Sequence, residues 1–272
     1  MSSNTHLIIN DEISEKITLD FIKNNPGFIN TINTYIKLHE NRCMLGNLIN
    51  YVRYSCPELK DLYLSNKDKF KSKCINDKGI FGKILEFEVF GNLPNSNSAP
   101  DLSYADIKVT HFKKLKNLGY NAKERLTLTN IGDPSNDDII KLFNETKNIK
   151  ELKHYQKIKS GILIVMEHDA HKYDTIEKCY DKKILCILLY DLDELPEEDK
   201  MILNDDYNKI RDCIINKCVS QSGQKYLHIH PHGSKNSSTR AFGFTPKFLT
   251  KIVSFYLKIP LQTKANSSYL IL

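Results

Sequence analysis

None of the seven cysteines, at positions 43, 56, 74, 179, 186, 213 and 218, forms a Cys-x-x-Cys pair, and their number is odd. That argues against a disulfide framework and fits reduced thiols in a cytosol. No apolar run approaches the ~20 residues of a membrane span, and the opening MSSNTHLIINDE has no signal-peptide core. The expectation is a cytoplasmic protein without a membrane partner. Gly-x-Ser-x-Gly, Walker and Gly-x-Gly-x-x-Gly loops are also missing. Acyl transfer and nucleotide hydrolysis therefore have no support, and no nucleotide cofactor is expected. There is no internal repeat and no long Pro, Gly or Ser linker to divide the chain.

What is there is an ordinary globular composition. Of 272 residues, 40% are apolar and 26% charged, enough to bury a sizeable core. The net charge of +6 permits a polyanionic partner without requiring one. Residues 11–72 carry apolar side chains at helical spacing (Ile13, Ile17 and Phe21, then Ile32, Tyr35 and Ile36), broken at Asn25-Pro26-Gly27. Over 78–90, Phe81, Ile84, Leu85 and Phe90 predict a further helix, ended by Gly91 and Asn92. Residues 104–112, 124–130 and 226–231 read as strands, and GILIVMEH (161–168) and ILCILLYD (184–191) as buried central strands. Helices are expected over 196–219 and 245–258. The fold class is α/β, a central sheet flanked by helices.

The stretch APDLSYADIKVTHF (99–112) puts charge into a strand. Side chains alternate between faces, so Asp106 and Lys108 point one way and Ile107 and Val109 the other. Asp101 lies where the chain enters the strand. Two carboxylates and an ammonium can therefore meet at one edge of the sheet. Carboxylate oxygens suit Mg²⁺, and a bound metal lowers the pKa of a water and stabilises charge on a phosphate. Lys108 would orient the attacking water. The plain alternative is a surface strand carrying an ion pair. Just upstream, KGIFGKILEFEVFG (78–91) places Gly79, Gly82 and Glu86 on one helix face, from which Glu86 could complete the metal shell. Its neighbour Glu88 reads as solvated, as does the acidic helix start DELPEED (193–199).

Six segments in order, KGIFGKILE (78–86), SAPD (98–101) with DIK (106–108), KERLTLT (123–129), KIKSGILIV (157–165), YLHIHPH (226–232) and TRAFGFTPKF (239–248), resemble the MutH-like DNA endonuclease family. That family holds the mismatch-repair nicking enzyme MutH and type II restriction endonucleases that cut at GATC. The resemblance implies a PD-(D/E)xK fold, a central mixed sheet flanked by helices. It casts Asp101, Asp106 and Glu86 as ligands of Mg²⁺, with Mn²⁺ as a substitute, and Lys108 as the catalytic lysine. Lys78 and Lys157 match lysines near DNA and active site. This chain departs in carrying Asp106 where MutH has Glu, and in a shorter interval from Asp101 to Asp106.

By the same resemblance DNA recognition falls in HIHPHGSKNSSTR, where His230, His232, Ser234, Lys235 and Arg240 are equipped for phosphates and bases. The family's methyl-sensing aromatic falls near Gly243, so adenine methylation is expected to be tolerated. The alternating His228, His230 and His232 also have zinc-like spacing, but Pro231 and the lack of a nearby Cys or carboxylate favour a DNA-facing strand end. The basic residues Lys113, Lys114, Lys116, Lys123 and Arg125 would contact the DNA backbone. One endonuclease domain is expected over 1–272, with a helical part (1–74), a catalytic core (75–195) and a recognition and C-terminal helix part (196–272). The expected activity is type II cleavage of double-stranded DNA to 5′-phosphate ends by a homodimer. The alternatives are a MutH-type nickase and a DNA-binding module without catalysis.

Overall fold

Thr18 opens the first described helix by accepting a 3.1 Å hydrogen bond from the Phe21 N–H, the capping that a short β-hydroxyl is suited to. In the computed structural model, residues 16–39, 43–74, 79–93, 100–116, 118–152, 155–173, 175–217, 222–233, 237–264 and 267–272 are described. The N-terminal helices are α1 (Leu19–Asn24), α2 (Gly27–Leu38), α3 (Leu45–Ser55), α4 (Pro57–Cys74) and α5 (Ile80–Glu88). Then follow β1 (Asp106–Lys114), β2 (Tyr120–Ala122), β3 (Leu126–Gly132), α6 (Asp137–Glu145), α7 (Tyr155–Lys159), β4 (Ser160–Glu167), α8 (Ile176–Cys179) and β5 (Ile184–Asp191). The chain closes with α9 (Glu197–Ile215), β6 (Leu227–Pro231), β7 (Arg240–Phe244), α10 (Pro246–Leu257) and the hairpin β8 (Gln262–Lys264) and β9 (Ser267–Tyr269). No helix among the described residues is long and apolar enough to cross a membrane.

The expected mixed sheet is present, in the order β2-β1-β4-β5. β1 runs parallel to β4, while β2 and β5 run antiparallel to their neighbours. Not all strands join it. β3, β7 and β6 form a separate antiparallel sheet of three, so the strand read over 124–130 belongs elsewhere than the central sheet. β7 had no counterpart in the sequence reading. Its five residues include Gly243, and glycine weakens a strand signal; pairing on both sides, with β3 and β6, supplies what local propensity does not.

Both faces of the mixed sheet are covered. Ile107, Ile162, Ile164 and Ile187 pack towards the N-terminal helices with Phe28, Ile32, Leu48 and Phe87. Phe112, Leu163, Val165, Leu188 and Tyr190 pack with Phe242, Phe244 and Phe248 on the other side. Burial on both faces explains why β4 and β5 read as continuous apolar runs rather than alternating ones.

Two acidic side chains expected in solvent are buried. Glu88 is 0% exposed, not solvated. It is paired with Arg53 at 2.6 Å and accepts from the Tyr180 hydroxyl at 2.9 Å. Asp199, in the supposedly solvated helix start, is 2% exposed and accepts from the Tyr226 hydroxyl at 2.8 Å and from Lys251. Another buried acid of α9, Asp206, takes the N–H groups of Tyr226 and Leu227 at 2.6 and 3.0 Å. These carboxylates fasten α9 to the start of β6.

Candidate active site

Asp106 is the first residue of β1, and Lys108 follows on the same face. On the β2 side, pairing of β1 begins only at Phe112, so the segment bearing these two side chains is flanked by β4 alone among the described residues. The edge position expected from sequence is thereby realised inside a four-stranded sheet. Asp106 is 1% exposed. Lys108 Nζ pairs with its Oδ2, and Lys157 Nζ, from the short α7 that leads into β4, lies 3.6 Å from its Oδ1.

Asp101 is held over the start of the strand by the backbone. Its Oδ2 accepts the Ile107 N–H at 2.9 Å. The Asn92 side-chain amide donates to its carbonyl, and the Leu102 N–H to the Ala105 carbonyl at 3.0 Å. A tight turn thus bridges the interval between the two aspartates. Burial, followed by the negative charge of Asp106, pushes the Asp101 pKa up. Glu86 is on α5, with its Oε1 3.7 Å from where a Cβ on Gly82 would lie, so glycine and glutamate do share one face. Its pKa is pushed up to about 7, by burial first and then by Asp101, with Lys108 and Lys157 pulling it down. Glu86, Asp101, Asp106, Lys108 and Lys157 form one electrostatic cluster.

Gathering acids without neutralising them is costly. Two lysines meet the charge of Asp106, and the carboxylates of Asp101 and Glu86 are left straining towards protonation. Among the described residues no group of three or more His, Cys, Asp or Glu side chains is arranged to hold a metal ion. The donor set does not match an all-protein cage. It fits an ion that takes one or two carboxylates and keeps several waters, the habit of Mg²⁺. Both carboxylate oxygens of Asp106 are buried without a hydrogen bond, as hard donors for such an ion. An open cleft of about 340 Å³ lies beside Asp101, lined also by Lys23, Asn92 and Pro100.

Of the other residues singled out from sequence, three belong to the second sheet and its edge. His230 and His232 are on and just after β6, and Arg240 opens β7, all at the three-stranded sheet. His230 is 6% exposed, its Nε2 3.0 Å from Thr127 Oγ1, and its ring stacks on His228 at 5.1 Å. Arg240 Nη1 donates to the carbonyl of Ser238 at 2.9 Å. His232 is exposed. A Cβ at Gly243 would meet His230 Cε1 at 2.8 Å, so this strand position is sealed by the histidines. Lys78, Ser234 and Lys235 lie outside the described residues. Asn92, read from sequence only as a helix terminator, turns out to anchor Asp101; nothing in its local pattern signals that contact.

No protein-family model matches the chain. The chain is distantly similar to the type II restriction enzyme Sau3AI of Staphylococcus aureus, 27% identical over 184 residues. The match takes in 62% of this chain and 35% of that enzyme, so the chain spans about a third of its relative's length.

Proposed function

We propose that the chain is a Mg²⁺-dependent, sequence-specific DNA endonuclease of the PD-(D/E)xK kind, a type II restriction enzyme cutting at GATC. The observation that carries this reading is the buried Asp106 beside Lys108 at the open start of β1, with Asp101 and Glu86 in the same field. The similarity to a restriction enzyme supports the same class.

Asp101 and Asp106 would hold the ion, with Glu86 supporting. When bound, the ion supplies a water of lowered pKa and positive charge against the phosphate. The protein's own part is orientation. Lys108 directs the attacking water at phosphorus and faces the charge that grows there, and Lys157 shares the burden of Asp106. The P–O3′ bond breaks, leaving a 3′-hydroxyl and a 5′-phosphate. One such site cuts one strand, so cutting both strands of a palindrome takes two copies related by a two-fold axis. Because Gly243 has no aromatic side chain, adenine methylation is tolerated.

Purified protein with Mg²⁺ is expected to linearise GATC-bearing plasmid without helper proteins, whether or not adenine is methylated. End sequencing would give the cut position. Asp106→Ala or Lys108→Ala is expected to slow cleavage by roughly 10³-fold; activity surviving either change would overturn the catalytic assignment. Nicking without linearisation would instead point to a MutH-type nickase, and binding without any cut to a module lacking catalysis.

A further inference from the structure

Strand register places three residues in one row. Asp106 on β1 is the partner of Gly161 on β4, and Gly161 is the partner of Tyr190 on β5. Register partners share a face of the sheet, so the tyrosine stands on the same side as the carboxylate, two strand spacings away. Adjacent strands are ~4.8 Å apart, and a tyrosine is long enough to lie across the middle strand if nothing obstructs it.

Gly161 leaves that path open. A Cβ there would sit 2.7 Å from the Tyr190 hydroxyl and 2.8 Å from Cζ, closer than real Cβ atoms come. The phenol therefore occupies the space a side chain at 161 would need. Tyr190 is 0% exposed, and its hydroxyl is buried with no hydrogen-bond partner. Both oxygens of Asp106 are also buried without a hydrogen bond, facing the ammonium groups of Lys108 and Lys157. A buried polar group without a partner is costly, and here a hydroxyl without a partner and a carboxylate held by two lysines but by no hydrogen bond lie in one row. Asp106 also acts on the phenol through space: after burial its charge is the largest influence raising the Tyr190 pKa.

We propose that Tyr190 is a positioning residue for Asp106. Its hydroxyl, lying over Gly161 and unbonded in this structure, is the donor placed to meet the carboxylate, setting the rotation at which Asp106 serves the phosphodiester chemistry. The inference rests on the nuclease reading. It adds that the row Asp106, Gly161, Tyr190 is one functional unit, with the glycine present because the tyrosine must pass.

Tyr190→Phe keeps the ring and its packing and removes only the donor. Two measurements test it. The first is the urea-unfolding equilibrium of metal-free protein in a double-mutant cycle with Asp106→Ala. Tyr190→Phe is expected to shift the equilibrium constant about 5–10-fold with Asp106 present and to have little effect without it. The second is cleavage: Tyr190→Phe is expected to raise the Mg²⁺ concentration for half-maximal rate several-fold while leaving KM for DNA unchanged. A merely structural tyrosine would alter neither the cycle nor the Mg²⁺ requirement. If wild-type protein cuts and either the coupling or the Mg²⁺ shift is absent, the tyrosine assignment falls and the nuclease reading stands. If wild-type protein cuts no DNA, the nuclease reading falls and takes the positioning role with it.

Discussion

Three buried or half-buried imidazoles resist taking up a proton in the fold. The His230 pKa is pushed down to about 4, first by burial and then by His228 and Arg125, and that of His228 is lowered as well. His111, on β1, is likewise held at about 4, by burial and then Lys182. Each imidazole is kept neutral in the fold, so at His230 and His111 the unfolded chain binds more protons than the native one between pH 6.5 and 4. Their contribution to stability is therefore full above about pH 6.5 and falls as the pH drops through that window. His230→Gln is expected to remove about 1 kcal/mol of the loss between pH 7 and 4.5, read from urea titrations at the two pH values. Isolated histidines in a sequence carry no sign of this: the same alternation would serve an exposed strand end or a stacked, buried pair.

Among the elements, α3 and α5 are joined by the Arg53–Glu88 pair at 2.6 Å. The guanidinium also lies 3.6 Å over the Tyr63 ring of α4, so three helices meet at one side chain. The Glu88 pKa is pushed up to about 7 by burial, against the pull of Arg53 and the Tyr180 hydroxyl. Between pH 4.5 and 7 the folded chain holds more protons at Glu88 than the unfolded one, and its contribution weakens as pH rises. Arg53→Ala is expected to cost about 3 kcal/mol at pH 8, where a buried charge is stranded, and less at pH 5, where Glu88 takes up a proton. Chemical denaturation at both pH values checks the difference. Glu86 stands two residues before Glu88 on the same helix.

At the scale of the molecule, the two sheets divide the proposed labour. The mixed sheet carries Asp106 and Lys108, and the three-stranded sheet carries His230 and Arg240, with His232 just past β6. Lys113 and Lys114, at the end of β1, and Lys116 just beyond it are exposed, beyond the same strand that opens with Asp106. If they face the DNA backbone as proposed, changing all three to Ala should reduce the slope of log K against log[salt] by about 2–3. Fluorescence anisotropy without divalent ions would measure it. An unchanged slope would place the three lysines away from the DNA.

Local pattern alone determined a good deal. The apolar runs at 161–168 and 184–191 became β4 and β5, and the spacing of Asp106 and Lys108 put them on one face. Gly82 and Glu86 share a helix face for the same reason of period. These follow from 2.0- and 3.6-residue repeats, which any chain obeys. Tertiary structure decided the rest. Helical period at Glu88 is silent on burial, because an arginine 35 residues earlier in the chain supplies its counter-charge. β7 exists because two other strands pair with it. The company of Asp106 comes from Lys157, Gly161 and Tyr190, all more than 50 residues away along the chain. Such contacts depend on strand order and register, which are set by the packing of the whole and leave no periodic trace in the sequence.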